Sequence, residues 1–237
     1  MPAITDKEIL QVIQETLGKP KVSKKILNEA YVLQPKKYDI QTDVLSEKSI
    51  AANIQDFEDT VKIVNEVSAK LDTVDRTDLN AKDSGFRELK VAEAYNLNNA
   101  FLTSLHFDNI ADPTSKVSMD SLAYIRLSRD FGSFEDWQKD FIACALSARD
   151  GYVVTVYNGS LNRYMNIMID DCQVGMMANC FPVICLSVRE RNYFRDYLND
   201  RRSYVFAMMK ELRWSLIEKR IKRADKVAKL LSTPLGD

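Results

Sequence analysis

The chain has 237 residues, a length that fits one large domain or two small ones sharing a core. Hydrophobic residues make up 46% and charged residues 28%, as in ordinary soluble globular proteins, and a net charge of −1 gives no global pull toward nucleic acid or an acidic membrane. The single histidine, His106, excludes a multi-histidine metal site and a two-histidine proton relay.

Residues 1–40 read as an N-terminal extension. Ile4 to Ile13 has the pattern of a short amphipathic helix, stopped by Gly18 and Pro20. Asp6, Glu8 and Glu15, with no arginine in the first twenty residues, fit neither a secretory signal nor a typical transit peptide. No run of about 18 apolar residues follows anywhere, so no membrane-spanning helix is expected.

Residues 41–110 read as an α-hairpin. From Leu45 to Leu71, Ile50, Ile54, Phe57, Val61, Val64 and Leu71 recur at helical spacing. A polar loop ends at Gly85. A second helix is predicted over roughly 87–105, with Leu89, Ala92, Leu97, Phe101 and Leu105 as its apolar positions and His106 at its end.

Residues 111–237 read as a mixed C-terminal domain. Helices are predicted over 118–130 and 134–149, the second capped by Ser133 with Glu135 and Asp136 in its first turn. Tyr152–Tyr157 then changes the period to that of a strand, and Asn158-Gly159 signals a hairpin to a second strand at Tyr164–Ile169. A third strand is predicted at Val183–Val188, and one closing helix over 201–231. The fold class is α+β: an N-terminal α-hairpin, then helices around a small three-stranded antiparallel sheet.

The four cysteines (Cys144, Cys172, Cys180 and Cys185) form no CxxC pair and read as free, largely buried thiols. Charge is unevenly spread. Residues 189–229 carry thirteen Lys/Arg against six Asp/Glu, a net of +7 that leaves −8 for the rest. Lys219, Arg220, Lys222 and Arg223 are the candidate contacts to RNA phosphates within that stretch.

Four ordered motifs carry a resemblance to the iron/manganese superoxide dismutases. Phe131-Gly132-Ser133-Phe134, followed by an aromatic helix and a Gly-aromatic strand, resembles that family's FGSF…GSGW region. Leu186 to Phe194 (LSVRERNYF) resembles its LDVWEHAYY, and Asp196 to Tyr204 (DYLNDRRSY) its DYKNDRRAY. Leu97-Asn98-Asn99-Ala100-Phe101 resembles its WNHTF or NHSIF segment.

The resemblance implies the superoxide dismutase fold and a metal held by three histidines and one aspartate. Carried over by position, the ligands fall on Asn53, Asn99, Ser187 and Arg191, none of which is a histidine or carboxylate. The family's gateway tyrosine falls on Val61, its paired histidines on Phe57 and Glu58, and its metal-side tryptophan on Arg189. The expectation is therefore a chain that binds no cofactor or metal and is not an enzyme: a pseudoenzyme kept as a structural subunit. The family's interface glutamate is retained as Glu190, so the resemblance implies pairing with a second superoxide dismutase-like chain, as homo- or heterodimer, through Glu190, Arg191 and Tyr193. It extends to the superoxide dismutase-like small-subunit ribosomal proteins of mitochondria. The expected setting is thus a mitochondrial ribonucleoprotein, with other subunits of the assembly as partners and rRNA met by the basic C-terminal helix. An accessory role in a respiratory-chain supercomplex is the alternative, followed by an active dismutase with unconventional ligands.

Overall fold

A computed structural model describes residues 30–77, 79–110, 114–172 and 175–231. The amphipathic helix expected between Ile4 and Ile13 lies outside them. Among the described residues there are seven helices and three strands, in an α+β arrangement.

Helix α1 (Glu47–Thr73) starts where the Ser46 hydroxyl accepts from the Ser49 amide, and buries Phe57, Val61, Val64 and Leu71 along one stripe. Helix α2 (Gly85–Asn109) is capped the same way by Ser84. Phe57 meets Phe107 with ring centroids 5.9 Å apart, and Thr60 meets Asn99, so the two helices run antiparallel as expected. Arg76 caps the end of α1, donating to the carbonyls of Val74 and Leu71 at 3.1 and 2.7 Å. Residues 31–40 run over this hairpin. Tyr31 donates its amide to Ser68, Leu33 exchanges two hydrogen bonds with Asn65, and Tyr38 packs edge-on against Phe57 and Phe107.

Helices α3 (Leu122–Phe131) and α4 (Phe134–Ser147) are separated by Gly132, which closes α3 with φ +95°. Ser133 caps α4 as predicted, its hydroxyl accepting from the Asp136 amide at 2.9 Å. Strands β1 (Tyr152–Asn158), β2 (Arg163–Ile169) and β3 (Cys180–Ser187) form an antiparallel sheet in the order β2-β1-β3.

The central strand β1 is buried at every position, and its alternation splits the core in two. Tyr152, Val154 and Val156 face Leu102 and Leu105 of α2. Val153 and Tyr157 belong to the larger cluster with Trp137, Phe141 and Trp214. Thr155, on that same side, accepts the Trp137 indole N–H at 3.0 Å. The register of β1 against β3 slips by one residue between Thr155 and Val156, opposite Pro182, which has no amide to give. The β1–β2 hairpin is confirmed, but its turn is a four-residue loop. Asn158 Oδ1 accepts from the amides of Ser160 and Leu161, and Asn162, at φ 53°, takes the left-handed conformation. Gly151 precedes β1 where a Cβ would lie 1.8 Å from the Ile169 carbonyl oxygen.

The C-terminal part differs from the single helix predicted over 201–231. It contains α5 (Glu190–Tyr197), α6 (Arg201–Lys210) and α7 (Trp214–Leu231). The break at 211–213 has a tertiary cause. The Glu211 carboxylate accepts from the Asp43 amide at 3.0 Å and from the Thr42 hydroxyl. The Arg213 amide donates to the Asn109 carbonyl at 2.7 Å, and the Trp214 amide to Ser115 at 2.8 Å. The Arg213 and Trp214 amides are thus drawn to residues far away in sequence and leave the helical ladder. The retained DYxNDR stretch explains itself similarly. Asp196 accepts the Ser46 amide, Asp200 caps α6, and Arg201 closes the end of α4 through the carbonyls of Ala148 and Arg149. No helix among the described residues is long and apolar enough to cross a membrane.

Candidate functional site: a buried polar cluster

Where α1, α2, the start of β1 and the end of β3 meet, a group of polar side chains is closed off from solvent. Asn53, Asn99, Thr103, Ser187 and Asn192 are all buried, as is Arg189, whose residue is 8% exposed. Tyr152 supplies the wall from β1 and is 1% exposed.

The network is continuous. Arg189 Nη1 donates to Asn99 Oδ1 at 2.6 Å and reaches the Tyr152 hydroxyl at 3.5 Å. Tyr152 donates to Asn99 Oδ1 at 2.8 Å and lies 2.8 Å from Thr103 Oγ1. Burial pushes the Tyr152 phenol up to about 12, with Arg189 pulling the other way, so at neutral pH it keeps its proton for Asn99. Ser187 donates to Asn192 Oδ1 at 2.9 Å and accepts the Arg189 amide at 3.4 Å. Asn53 Nδ2 donates to the Asn192 carbonyl at 3.1 Å, and Asn99 Nδ2 to Thr60 at 3.4 Å. Buried polar atoms without partners are costly, and here they satisfy one another.

Three of the four expected ligand positions, Asn53, Asn99 and Ser187, therefore converge. Arg191 does not join them. Its Nη1 pairs with Asp56 Oδ1 at 2.7 Å, one turn beyond Asn53 on α1, and its side chain is 45% exposed. Composition and motif position missed Thr103, Tyr152 and Asn192 as members. Arg189 was marked only by standing where the resemblance places an aromatic. Its signal was local: an arginine directly after the apolar run Val183 to Val188 enters the interior with the strand that leads to it.

Of the interface residues, Glu190 is exposed, and its amide donates to Asp150 at 2.7 Å. Tyr193 is corrected: it is 3% exposed, stacked on Tyr204 at 4.7 Å, with its hydroxyl accepting from Arg201. The ring is buried inside the chain. Arg220 is corrected likewise. It is buried, donating to Asn109 Oδ1 at 2.7 Å and pairing with Asp108 at 3.2 Å. Lys219, Lys222 and Arg223 are exposed, and Lys222 lies 3.5 Å from Glu218. His106, at the end of α2, is fully buried, and neither ring nitrogen has a partner of ordinary hydrogen-bonding geometry among the described residues. Burial drives its pKa down to about 3, the nearby Cys185 backbone offsetting this in part. All four cysteines are free thiols, as predicted.

Helices around a three-stranded antiparallel sheet, with a polar centre between the α-hairpin and the sheet, define an α+β protein of the superoxide dismutase type. Residues 121–220 match the model of the iron/manganese superoxide dismutases, C-terminal domain. A superoxide dismutase [Fe] from Cupriavidus metallidurans is 31% identical over 173 residues, covering 72% of this chain and 85% of that protein. A superoxide dismutase [Fe] from Aquifex aeolicus is 27% identical over 170 residues, 70% of this chain and 79% of its own length. A superoxide dismutase [Mn] 1 from Halobacterium salinarum is 34% identical over 99 residues, so the chain spans about half the length of that relative (49%). The chain belongs to the iron/manganese superoxide dismutase family.

These matches overturn the expectation that the chain is not an enzyme. Its relatives at 27–34% identity are named superoxide dismutases, an enzyme family, and nothing in the matches speaks for a loss of activity. They identify a family and not an assembly or a compartment.

The cluster's donor set does not fit the family's metal. It consists of amides, hydroxyls and a guanidinium, without imidazole or carboxylate. Among the described residues, no group of three or more His, Cys, Asp and Glu side chains converges on a point. Neutral amides and hydroxyls are weak ligands for a redox metal. A dication about 4 Å from the guanidinium would also be opposed by roughly 8 kcal/mol at an effective dielectric of 20.

Proposed function

We propose that the chain serves as a structural subunit of a large mitochondrial assembly, the small subunit of the mitochondrial ribosome being the best candidate. The observation that carries this reading is the contrast between centre and frame. The centre's polar groups are spent on one another, while Asp196, Asp200, Arg201, Trp137 and Tyr204 hold the family's frame together. The exposed Lys219, Lys222 and Arg223 on α7 offer a modest phosphate-facing patch. A second superoxide dismutase-like chain is the expected partner. Glu190 of one subunit would meet Arg191 of the other about a two-fold axis, in a homo- or heterodimer.

The test is purification of the tagged chain from its own cells under gentle conditions. Co-sedimentation with a small ribosomal subunit, with rRNA and a second superoxide dismutase-like chain in stoichiometric amount, is the expected result. Recovery with cytochrome-bearing membrane complexes instead would move the chain to a respiratory accessory role.

A second reading, superoxide dismutation, rests on the names of the relatives. Iron and manganese content of the purified protein, measured with a dismutation assay, decides it. Stoichiometric metal with turnover would establish that reading, and the absence of both metal and turnover would remove it.

A further inference from the structure

We propose that the Arg189 guanidinium is the resident cation of the polar centre, occupying the place between α1, α2 and β3 that the family fills with a metal ion. The inference stands on the cluster's geometry and holds whichever assembly the chain serves.

Three observations carry it. First, the buried Arg189 guanidinium is tied to the Asn99 ligand position, its Nη1 donating to Asn99 Oδ1 at 2.6 Å and reaching the Tyr152 hydroxyl at 3.5 Å. Second, the oxygens around it are arranged as acceptors for a cation. Asn99 Oδ1 takes Arg189 and Tyr152 together, while its amide nitrogen is turned away to Thr60. Third, Arg191, which stands at the fourth ligand position, is turned outward to Asp56 at 2.7 Å, so two guanidinium charges do not compete for one buried space. Arginine is suited to this role, because its charge is permanent and its planar fork serves several acceptors at once. A cationic centre that is part of the chain cannot dissociate, and it leaves no coordination position for an added ion.

Two measurements test this, one on the unaltered chain and one on variants. Equilibrium dialysis of the wild-type protein against micromolar Mn²⁺ or Fe²⁺ is expected to show no stoichiometric uptake, and thermal denaturation no rise in Tm with either ion. Arg189→Ala is expected to lower Tm by about 5–10 °C. Millimolar methylguanidinium should recover at least half of that loss in the variant, while leaving the wild type unchanged. Arg189→Met, which fills the space without the charge, should show no such recovery. If Arg189→Ala does not fold, Arg189→Lys against Arg189→Met replaces it, and the lysine variant is expected to keep the higher Tm. Stoichiometric Mn²⁺ or Fe²⁺ binding that raises the wild-type Tm would overturn the proposal. So would an Arg189→Met variant as stable as wild type, or rescue of Arg189→Ala and Arg189→Met to the same extent.

Discussion

Arg220→Met separates two roles that one arginine cannot easily hold together. In the run Lys219 to Arg223 the sequence offers Arg220 as a contact to RNA, and the structure sends it inward. Its guanidinium joins α7 to the end of α2 through Asn109 at 2.7 Å and Asp108 at 3.2 Å, and to β3 through the Val183 carbonyl at 3.5 Å. Burial lowers its pKa below the usual arginine range, with Asp108 acting against the shift. Methionine fills most of the volume but removes every donor. Breaking a buried pair by deleting one partner costs about 3–5 kcal/mol. Asp108 is 23% exposed and keeps its salt bridge to Lys36, which brings the cost just below that range, to roughly 2–3 kcal/mol. For a chain of this length that is a fall in Tm of about 5–10 °C. Arg223→Met, on the exposed side of the same helix, should stay within about 0.5 kcal/mol of wild type. The assay is paired: thermal denaturation of both variants, and their binding to a structured RNA at low salt. A stable Arg220→Met that loses RNA affinity as Arg223→Met does would refute the inward role.

Gly151→Ala should be among the most damaging single changes, because the new Cβ would lie 1.8 Å from the backbone oxygen of Ile169. A loss of about 3 kcal/mol or more is expected in chemical denaturation, and a loss below about 1 kcal/mol would show that this strand junction yields. His106→Leu tests pH dependence: the folded-state pKa of about 3 lies below the ordinary 6.5, so the stability linked to the neutral ring is complete above about pH 6.5 and is lost as pH falls toward about 3. Wild type should therefore lose about 2 kcal/mol more than His106→Leu between about pH 6.5 and pH 5, whereas parallel curves would mean the imidazole is not held neutral by burial. In the proposed dimer, Arg191→Ala should weaken pairing by about tenfold in sedimentation velocity. The chain's own Tm should barely move, because the pair with Asp56 is partly exposed; unchanged association would remove Arg191 from the interface.

Much of the frame was legible because its signals are local. Ser133 precedes the helix that it caps, and the β-branched and aromatic run after Gly151 reads as the strand it forms. The division of the C-terminal helix was not legible, because Glu211 and Arg213 are held by Asp43 and Asn109, more than a hundred residues away in sequence. Arg220 was legible in principle. Ile217, Ile221 and Ala224 define the buried stripe of α7, and Arg220 falls on it, three residues after one member and four before another. Reading Lys219 to Arg223 as one basic patch ignored that spacing. The same spacing leaves Lys219, Lys222 and Arg223 outside.

The centre was legible by position and hidden in its logic. Motif order named Asn53, Asn99 and Ser187, and the structure links them in one network through Asn192 and Arg189. Motif order could not say where the positive charge goes, because Arg189 and Arg191 stand two residues apart and both can reach the same region. Their neighbours decide the matter. Asp56, one helical turn after Asn53, offers a carboxylate at the rim, and a guanidinium paired there keeps access to water. The interior offers Asn99 Oδ1, which accepts from the Tyr152 hydroxyl and takes Arg189 as a second donor. A carboxylate placed beside that oxygen would repel it, and an apolar residue would leave it with the Tyr152 hydroxyl alone. An arginine reaching in along the strand direction satisfies it while its partner two residues later turns out to the acid. The pair therefore divides one task that neither arginine performs alone: Arg189 neutralises the demand for donors inside, and Arg191 binds α5 to α1 at the edge of the same cluster.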